Sequence, residues 1–163
     1  MVTNLDVGDI APDFDLPTDS GGGVRLSDLR GQFVVLFFYP KDDTSGCTAE
    51  ALDFSRLAPR FAAAGAALLG LSPDSVKRHE NFKRKHGLAL ALAADERHAA
   101  LEAYGVWKEK SMYGRKYMGV ERTTAIVDPK GRIARLWRKV KVPGHAEEAL
   151  AALEAARTAF ANH

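Results

Sequence analysis

Phe33-Val34-Val35-Leu36-Phe37-Phe38-Tyr39 runs straight into Pro40-Lys41-Asp42-Asp43-Thr44-Ser45-Gly46-Cys47. The first run is continuously apolar and rich in β-branched and aromatic residues, which predicts a central strand buried on both faces. Pro40 ends it. A helical pattern follows from Thr48 to about Ala64, with Phe54, Leu57, Ala58 and Phe61 along one apolar stripe. Pro59 falls inside that pattern and is expected to kink the helix near Ser55 or split it there. This strand–turn–helix order sets Cys47, the only cysteine in 163 residues, at the start of a helix. The dipole at that end favours negative charge, hence thiolate over thiol, and thiolate is the nucleophile.

Outward from this stretch the chain alternates strands and helices. Ala11–Pro17 alternates apolar and polar residues around two prolines and reads as an edge strand or extended arm. After the glycines at 21–23, Val24-Arg25-Leu26 returns as a second short strand, making a hairpin. Ser27 caps a single turn that Gly31 stops. Ala66–Ser72 is a second buried strand, Ser75–His86 a polar helix ended by Gly87, and Leu88–Ala94 a short strand. Glu96–Tyr104 is a short helix. Val106–Gly119 has no clear period and reads as an exposed loop. Thr123–Val127 and Ile133–Val140 are strands joined by a turn at Asp128-Pro129-Lys130-Gly131. His145–Phe160 is a helix with Leu150, Leu153 and Ala156 on one face. Strands separated by helices imply parallel pairing with right-handed crossovers, and the last two strands add antiparallel pairs. The fold class is α/β: a mixed central sheet with helices on both faces.

At this length a single domain, 1–163, is expected. Apolar residues make up 46% and charged residues 27%, as in ordinary globular proteins. Met1–Asp6 show neither a basic nor an apolar leader region, and no run is long enough to cross a bilayer, so the cytoplasm is the expected location. One cysteine allows no internal disulfide, which agrees with a reducing compartment. The net charge is +2, with acidic residues in excess before Arg60 and basic ones between Lys108 and Lys141. That basic stretch lacks a recognition motif and interleaved stacking aromatics, which argues against nucleic acid. The histidines, His79, His86, His98, His145 and His163, show no ligand spacing; they read as surface residues, and no metal is expected. There is no glycine-rich phosphate loop and no sign of a cofactor.

Thr44 and Cys47 are three residues apart and share a helix face, so the threonine hydroxyl can approach the sulfur. Pro40 can shield the sulfur from water. The turn's amides can point at an oxygen under attack. A cation is missing locally, and Arg122, just before a strand, is the candidate to supply it. Pro40-x-x-x-Thr44-x-x-Cys47 resembles the active-site signature of the peroxiredoxins. Phe38–Asp42 and Thr44–Thr48 resemble the bacterioferritin-comigratory-protein, or PrxQ, branch. Ala11-Pro12-Asp13-Phe14, Leu69–Asp74, Tyr104–Trp107, Gly119–Arg122 and Ile126-Val127-Asp128 are similar to further landmarks of that branch.

The resemblance implies a thioredoxin-like fold of the AhpC/TSA type with an N-terminal β-hairpin. It implies an antioxidant peroxidase that reduces hydrogen peroxide and organic hydroperoxides through a Cys47 sulfenic acid. Cys47 would be the peroxidatic cysteine, Thr44 and Pro40 its signature partners, and Arg122 the active-site arginine. Glu50 stands where relatives carry a carboxylate or amide near that arginine. Many members carry a resolving cysteine five residues after the first; here that residue is Leu52, and Ser75–His86 has none either. An outside thiol (thioredoxin, glutaredoxin or glutathione) would then regenerate Cys47, and the chain would be a monomer or weak homodimer. A thioredoxin-type oxidoreductase needs a second cysteine in Cys-x-x-Cys spacing, absent here. The remaining alternatives are a redox sensor acting through a mixed disulfide at Cys47 and a purely structural member of the fold.

Overall fold

A computed structural model describes residues 5–162; Met1–Asn4, part of the segment read for a leader, and His163 lie outside them. In chain order the elements are β1 (Asp15–Pro17), β2 (Gly23–Arg25), a 3₁₀ turn (Leu26–Leu29), β3 (Phe33–Phe38), α1 (Ser45–Ala63) and β4 (Ala66–Ser72). Then come α2 (Val76–His86), β5 (Ala91–Ala94), α3 (Ala99–Ala103), β6 (Trp107–Met112), β7 (Arg115–Val120), β8 (Thr123–Val127), β9 (Ile133–Trp137) and α4 (His145–Ala161). The five-stranded main sheet has the order β5-β4-β3-β8-β9. β3 pairs parallel with β4, β4 parallel with β5, and β8 antiparallel with both β3 and β9.

β3 is the middle strand, and its alternation builds two cores. Phe33, Val35, Phe37 and Tyr39 join Phe54, Leu57 and Phe61 of α1, Phe82 of α2 and Leu150 and Leu153 of α4. Val34, Leu36 and Phe38 face the other way, toward Phe14, Leu101, Tyr104, Val106 and Val120. Every residue of β3 is buried, which explains its unbroken apolar reading. The β1–β2 hairpin forms as expected, and Asp19 N–H donates to the Leu92 carbonyl at 3.1 Å on the β5 edge.

Five expectations need correction. Helix α1 begins at Ser45, not Thr48, so Cys47 lies within its first turn. It also runs through Pro59 without splitting: Pro59 sits on the exposed side, while Phe54, Leu57 and Phe61 keep one buried stripe across it. Val106–Gly119 is not a loop but mostly the β6–β7 hairpin. Its strands are solvated on both faces, so no two-residue alternation marks them. Finally, His79 and His145 are core residues, 0% and 4% exposed. His79 falls three residues before Phe82 on the buried face of α2. His145 opens α4, with Nε2 2.8 Å from Thr124 Oγ1 and its ring edge-on to Phe54 and Trp137. β9 stops at Trp137 rather than Val140, because Lys139 takes a positive φ of 52° that breaks the pleat. Among the described residues no helix is long and apolar enough to cross a membrane.

Candidate active site

The site forms where the C-terminal end of β3 turns into α1. Tyr39 closes the strand register, donating its N–H to Leu71 at 3.1 Å, and the half-buried Pro40 then ends the ladder. Asp43, in the left-handed region with φ 63°, swings the chain into the helix. Thr44 is the N-cap, and the first helical bond runs from Thr48 N–H to the Thr44 carbonyl at 2.8 Å. The amides of Ser45, Gly46 and Cys47 therefore have no intrahelical acceptor. Cys47 lies just inside this turn, only 2% exposed.

The cation expected at the sulfur is present. Arg122, immediately before β8, donates from Nη2 to Cys47 Sγ at 3.3 Å and from Nη1 to Glu50 Oε1 at 2.6 Å. A Cβ built on Gly46 would lie 3.4 Å from Nη2, so the guanidinium lies over the turn at ordinary contact distance. The pairing of β8 with β3, Thr123 opposite Phe38, delivers this arginine from 75 residues away. Burial works against the Arg122 charge, but Glu50 and Cys47 outweigh it and hold the guanidinium above its ordinary range. Thr44 is placed differently from the expectation: its hydroxyl donates to the Lys41 carbonyl at 2.9 Å rather than to sulfur. Its oxygen lone pairs stay open to an incoming donor.

Glu50 is one helical turn from Cys47 and 1% exposed, and its Oε2 has no partner. Burial pushes its carboxyl up to about 7, against the pull of Arg122. An acid with a raised folded-state value is neutral in the native protein after the unfolded chain has ionised. Stability is therefore highest below the ordinary value of 4.5, falls as the pH rises to about 7, and stays low above it. Glu50→Gln keeps a carbonyl for Arg122 but cannot ionise. It is expected to flatten this part of the stability profile, as measured by urea unfolding between pH 4.5 and 7. An unchanged slope would remove Glu50 as its cause.

Sequence reading missed a buried network that fixes the turn from behind. Asp42 Oδ1 accepts from the Tyr39 hydroxyl at 2.6 Å, and its Oδ2 lies 2.6 Å from His79 Nδ1. His79 Nε2 faces the Ala93 carbonyl at 3.0 Å. The Asp42 N–H donates to Asp74 Oδ2 at 2.8 Å, which also accepts from the Ser72 hydroxyl at 2.7 Å. Asp42, Asp74 and His79 lie near enough to share a metal ion, but their polar atoms are turned to one another and to Tyr39, Ser72 and Arg78. That arrangement is a structural network tying the Pro40–Thr44 turn to α2. Asp43 adds an outer tie, 2.7 Å from Lys85 Nζ and 2.9 Å from His86 Nε2. The signal available in the sequence was the three-residue spacing of His79 and Phe82.

Leu52 lies on α1 with 42% of its surface exposed, and Cys47 is the one free cysteine.

The AhpC/TSA family pattern matches residues 7–136. The chain is 47% identical over 150 residues to peroxiredoxin Bcp of Bacillus subtilis (strain 168), covering 92% of this chain and 96% of the relative. It is 50% identical over 148 residues to peroxiredoxin Bcp of Xanthomonas campestris, covering 89% and 92%. A solved structure of Xanthomonas campestris peroxiredoxin Q superposes with a TM-score of 0.87 at 44% identity, covering 96% of this chain and 99% of that one. Another, concerned with the alkyl peroxide reduction activity of the Xanthomonas campestris bacterioferritin comigratory protein, matches at TM-score 0.85 and 46% identity, covering 88% and 92%. Agreement this close over nearly the whole length, in sequence and in thioredoxin-like fold, means that the chain belongs to the AhpC/TSA family, among the Bcp/PrxQ peroxiredoxins, as a form with a single cysteine.

Proposed function

We propose that the chain is a thiol-dependent peroxidase in which Cys47 reduces hydrogen peroxide and organic hydroperoxides and an outside thiol restores it. The observation that carries this reading is the Arg122 guanidinium held 3.3 Å from Sγ and anchored on Glu50. A donor aimed at sulfur serves a thiolate, which accepts hydrogen bonds better than a thiol. The thiolate attacks the terminal oxygen of ROOH, the O–O bond breaks, and the leaving oxygen takes a proton from solvent to depart as water or an alcohol. Cys47 is left as sulfenic acid, the reversible rung of thiol oxidation.

Each neighbour has a role in that step. The unpaired amides of Ser45–Cys47 and the Arg122 fork face the charge as it moves onto oxygen. The Thr44 oxygen, its own hydrogen donated to the Lys41 carbonyl, can accept a hydrogen bond from the hydroperoxide. Pro40, half-buried at the strand end, limits water at the sulfur. With no second cysteine, regeneration falls to an outside thiol such as thioredoxin, glutaredoxin or glutathione. A reducing cytoplasm supplies all three, and antioxidant defence is the corresponding role.

One equivalent of hydrogen peroxide should add one oxygen to Cys47, seen by mass spectrometry, and dimedone should trap the product as its sulfenic acid adduct. Dithiothreitol should then sustain many turnovers. No oxygen uptake at stoichiometric peroxide would count against the reading.

A further inference from the structure

The β6–β7 hairpin carries none of the residues assigned to the peroxide step, yet it is built at a conformational cost. It is a two-stranded sheet of its own, with Met112 opposite Arg115. Its two-residue tip, Tyr113-Gly114, has positive φ at both positions, 51° and 76°. That is the pattern of a type I′ turn, where Asn-Gly is favoured and a bulky first residue is strained. The Tyr113 ring is 97% exposed, so its own chain gains nothing from it. Met112, Tyr117 and Met118 are exposed as well; with Tyr113 they are four of the seven exposed large apolar residues among the described ones.

The hairpin is also basic. Lys108, Lys110, Arg115 and Lys116 stand against Glu109 alone. Lys110 and Arg115 have no carboxylate partner among the described residues. The base of the arm adjoins the active site: β7 ends at Val120, two residues before Arg122. The Lys110 stem lies across Gly119, where a Cβ would meet its Cδ at 3.2 Å. Burial and Arg122 lower the Lys110 ammonium's proton affinity, and Cys47 partly offsets them, so the arm is within electrostatic reach of the sulfur.

We propose that the β6–β7 hairpin is the docking arm for the outside reductant, an acidic protein carrying a dithiol, with Tyr113 seated in an apolar hollow of that partner. This rests on the peroxidase reading. A chain with one cysteine must take two electrons from outside in each cycle, and a dithiol supplies both in one encounter. The partner's first thiol attacks Cys47 sulfenic acid, forming a mixed disulfide and releasing water. Its second thiol attacks the partner's sulfur in that bond, freeing the Cys47 thiol and leaving the partner oxidised. A small thiol would have no use for an exposed aromatic tip leading away from a sulfur only 2% exposed. The arm's positive excess suits an acidic partner, and a rigid exposed aromatic is the side chain that anchors protein interfaces.

The test is Tyr113→Asn, which installs the favoured Asn-Gly turn and so keeps the hairpin folded while deleting the ring. Three rates are compared with wild type: turnover with thioredoxin, turnover with dithiothreitol, and single-turnover oxidation of Cys47 by hydrogen peroxide. The proposal expects kcat/KM for thioredoxin to fall about tenfold or more, the scale of an anchor residue, with the other two rates unchanged. Arg115→Glu with Lys116→Glu should weaken the same rate and flatten its salt dependence. An unchanged thioredoxin rate in Tyr113→Asn overturns the proposal. So does wild-type thioredoxin turnover no faster than with dithiothreitol. A fall in all three rates would make the tip part of the site itself, and a dimer lost on substitution would make its occupant a second copy. Failure of wild-type Cys47 to react with peroxide would instead strike the peroxidase reading.

Discussion

Cys47→Ser is expected to abolish peroxide turnover with every reductant while leaving the protein folded. No other residue in the chain can take its place, since Cys47 is the only thiol. A serine hydroxyl is not ionised at neutral pH and lacks the sulfur's reactivity toward peroxide oxygen. The structural cost is small. Sγ is 2% exposed, and its described hydrogen bond comes from Arg122, which a hydroxyl can accept equally well. The loss should be about 1 kcal/mol, or about 2–4 °C in Tm for a chain of this size. Residual turnover above background would place the chemistry elsewhere. A collapse of Tm would mean that the sulfur holds the fold rather than reacts from it.

Arg122→Met should slow oxidation of Cys47 by hydrogen peroxide about 10²–10³-fold, the scale of removing one donor aimed at developing oxygen charge. Here the donor touches the nucleophile at 3.3 Å, and methionine fills the space without replacing either N–H. The substitution also leaves Glu50 without its partner at 2% side-chain exposure. A carboxylate stripped of its cation in a buried place destabilises the protein, by roughly 3–5 kcal/mol where the pair is fully enclosed. Arg122 is partly exposed, at 17%, so the effect should lie at or below the bottom of that range. Adding Glu50→Gln to Arg122→Met separates the two roles: stability should recover and the rate should not. Recovery of both would mean that Arg122 acts only by neutralising Glu50.

The parts of the fold that could be read from the sequence are those where burial writes a pattern. β3 is enclosed on both faces, and its unbroken apolar run says so. β4 and α4 carry their apolar runs plainly, and α2 ends as read, at the left-handed Gly87. The β6–β7 hairpin escaped because water meets both its faces and its turn uses Tyr-Gly where Asn-Gly would have announced it. Pro59 misled for a related reason: a helix held by Phe54, Leu57 and Phe61 tolerates a missing amide on its wet side.

The site divides the same way. Cys47 at a helix start is a local feature and was legible. Arg122 is brought in by sheet pairing across 75 residues, so spacing alone could nominate it but not place it. The Tyr39–Asp42–His79 network was invisible to composition, because each member reads as an ordinary polar residue until β3, β4 and α2 converge.

The surroundings of Cys47 are assembled to reduce peroxide. The most direct test is the second-order rate constant for oxidation of Cys47 by hydrogen peroxide at neutral pH, measured beside free cysteine. The account predicts a rate orders of magnitude above that of free cysteine. A rate equal to free cysteine's would contradict it, and would leave a thiol that reports oxidation through a mixed disulfide rather than one that removes peroxide.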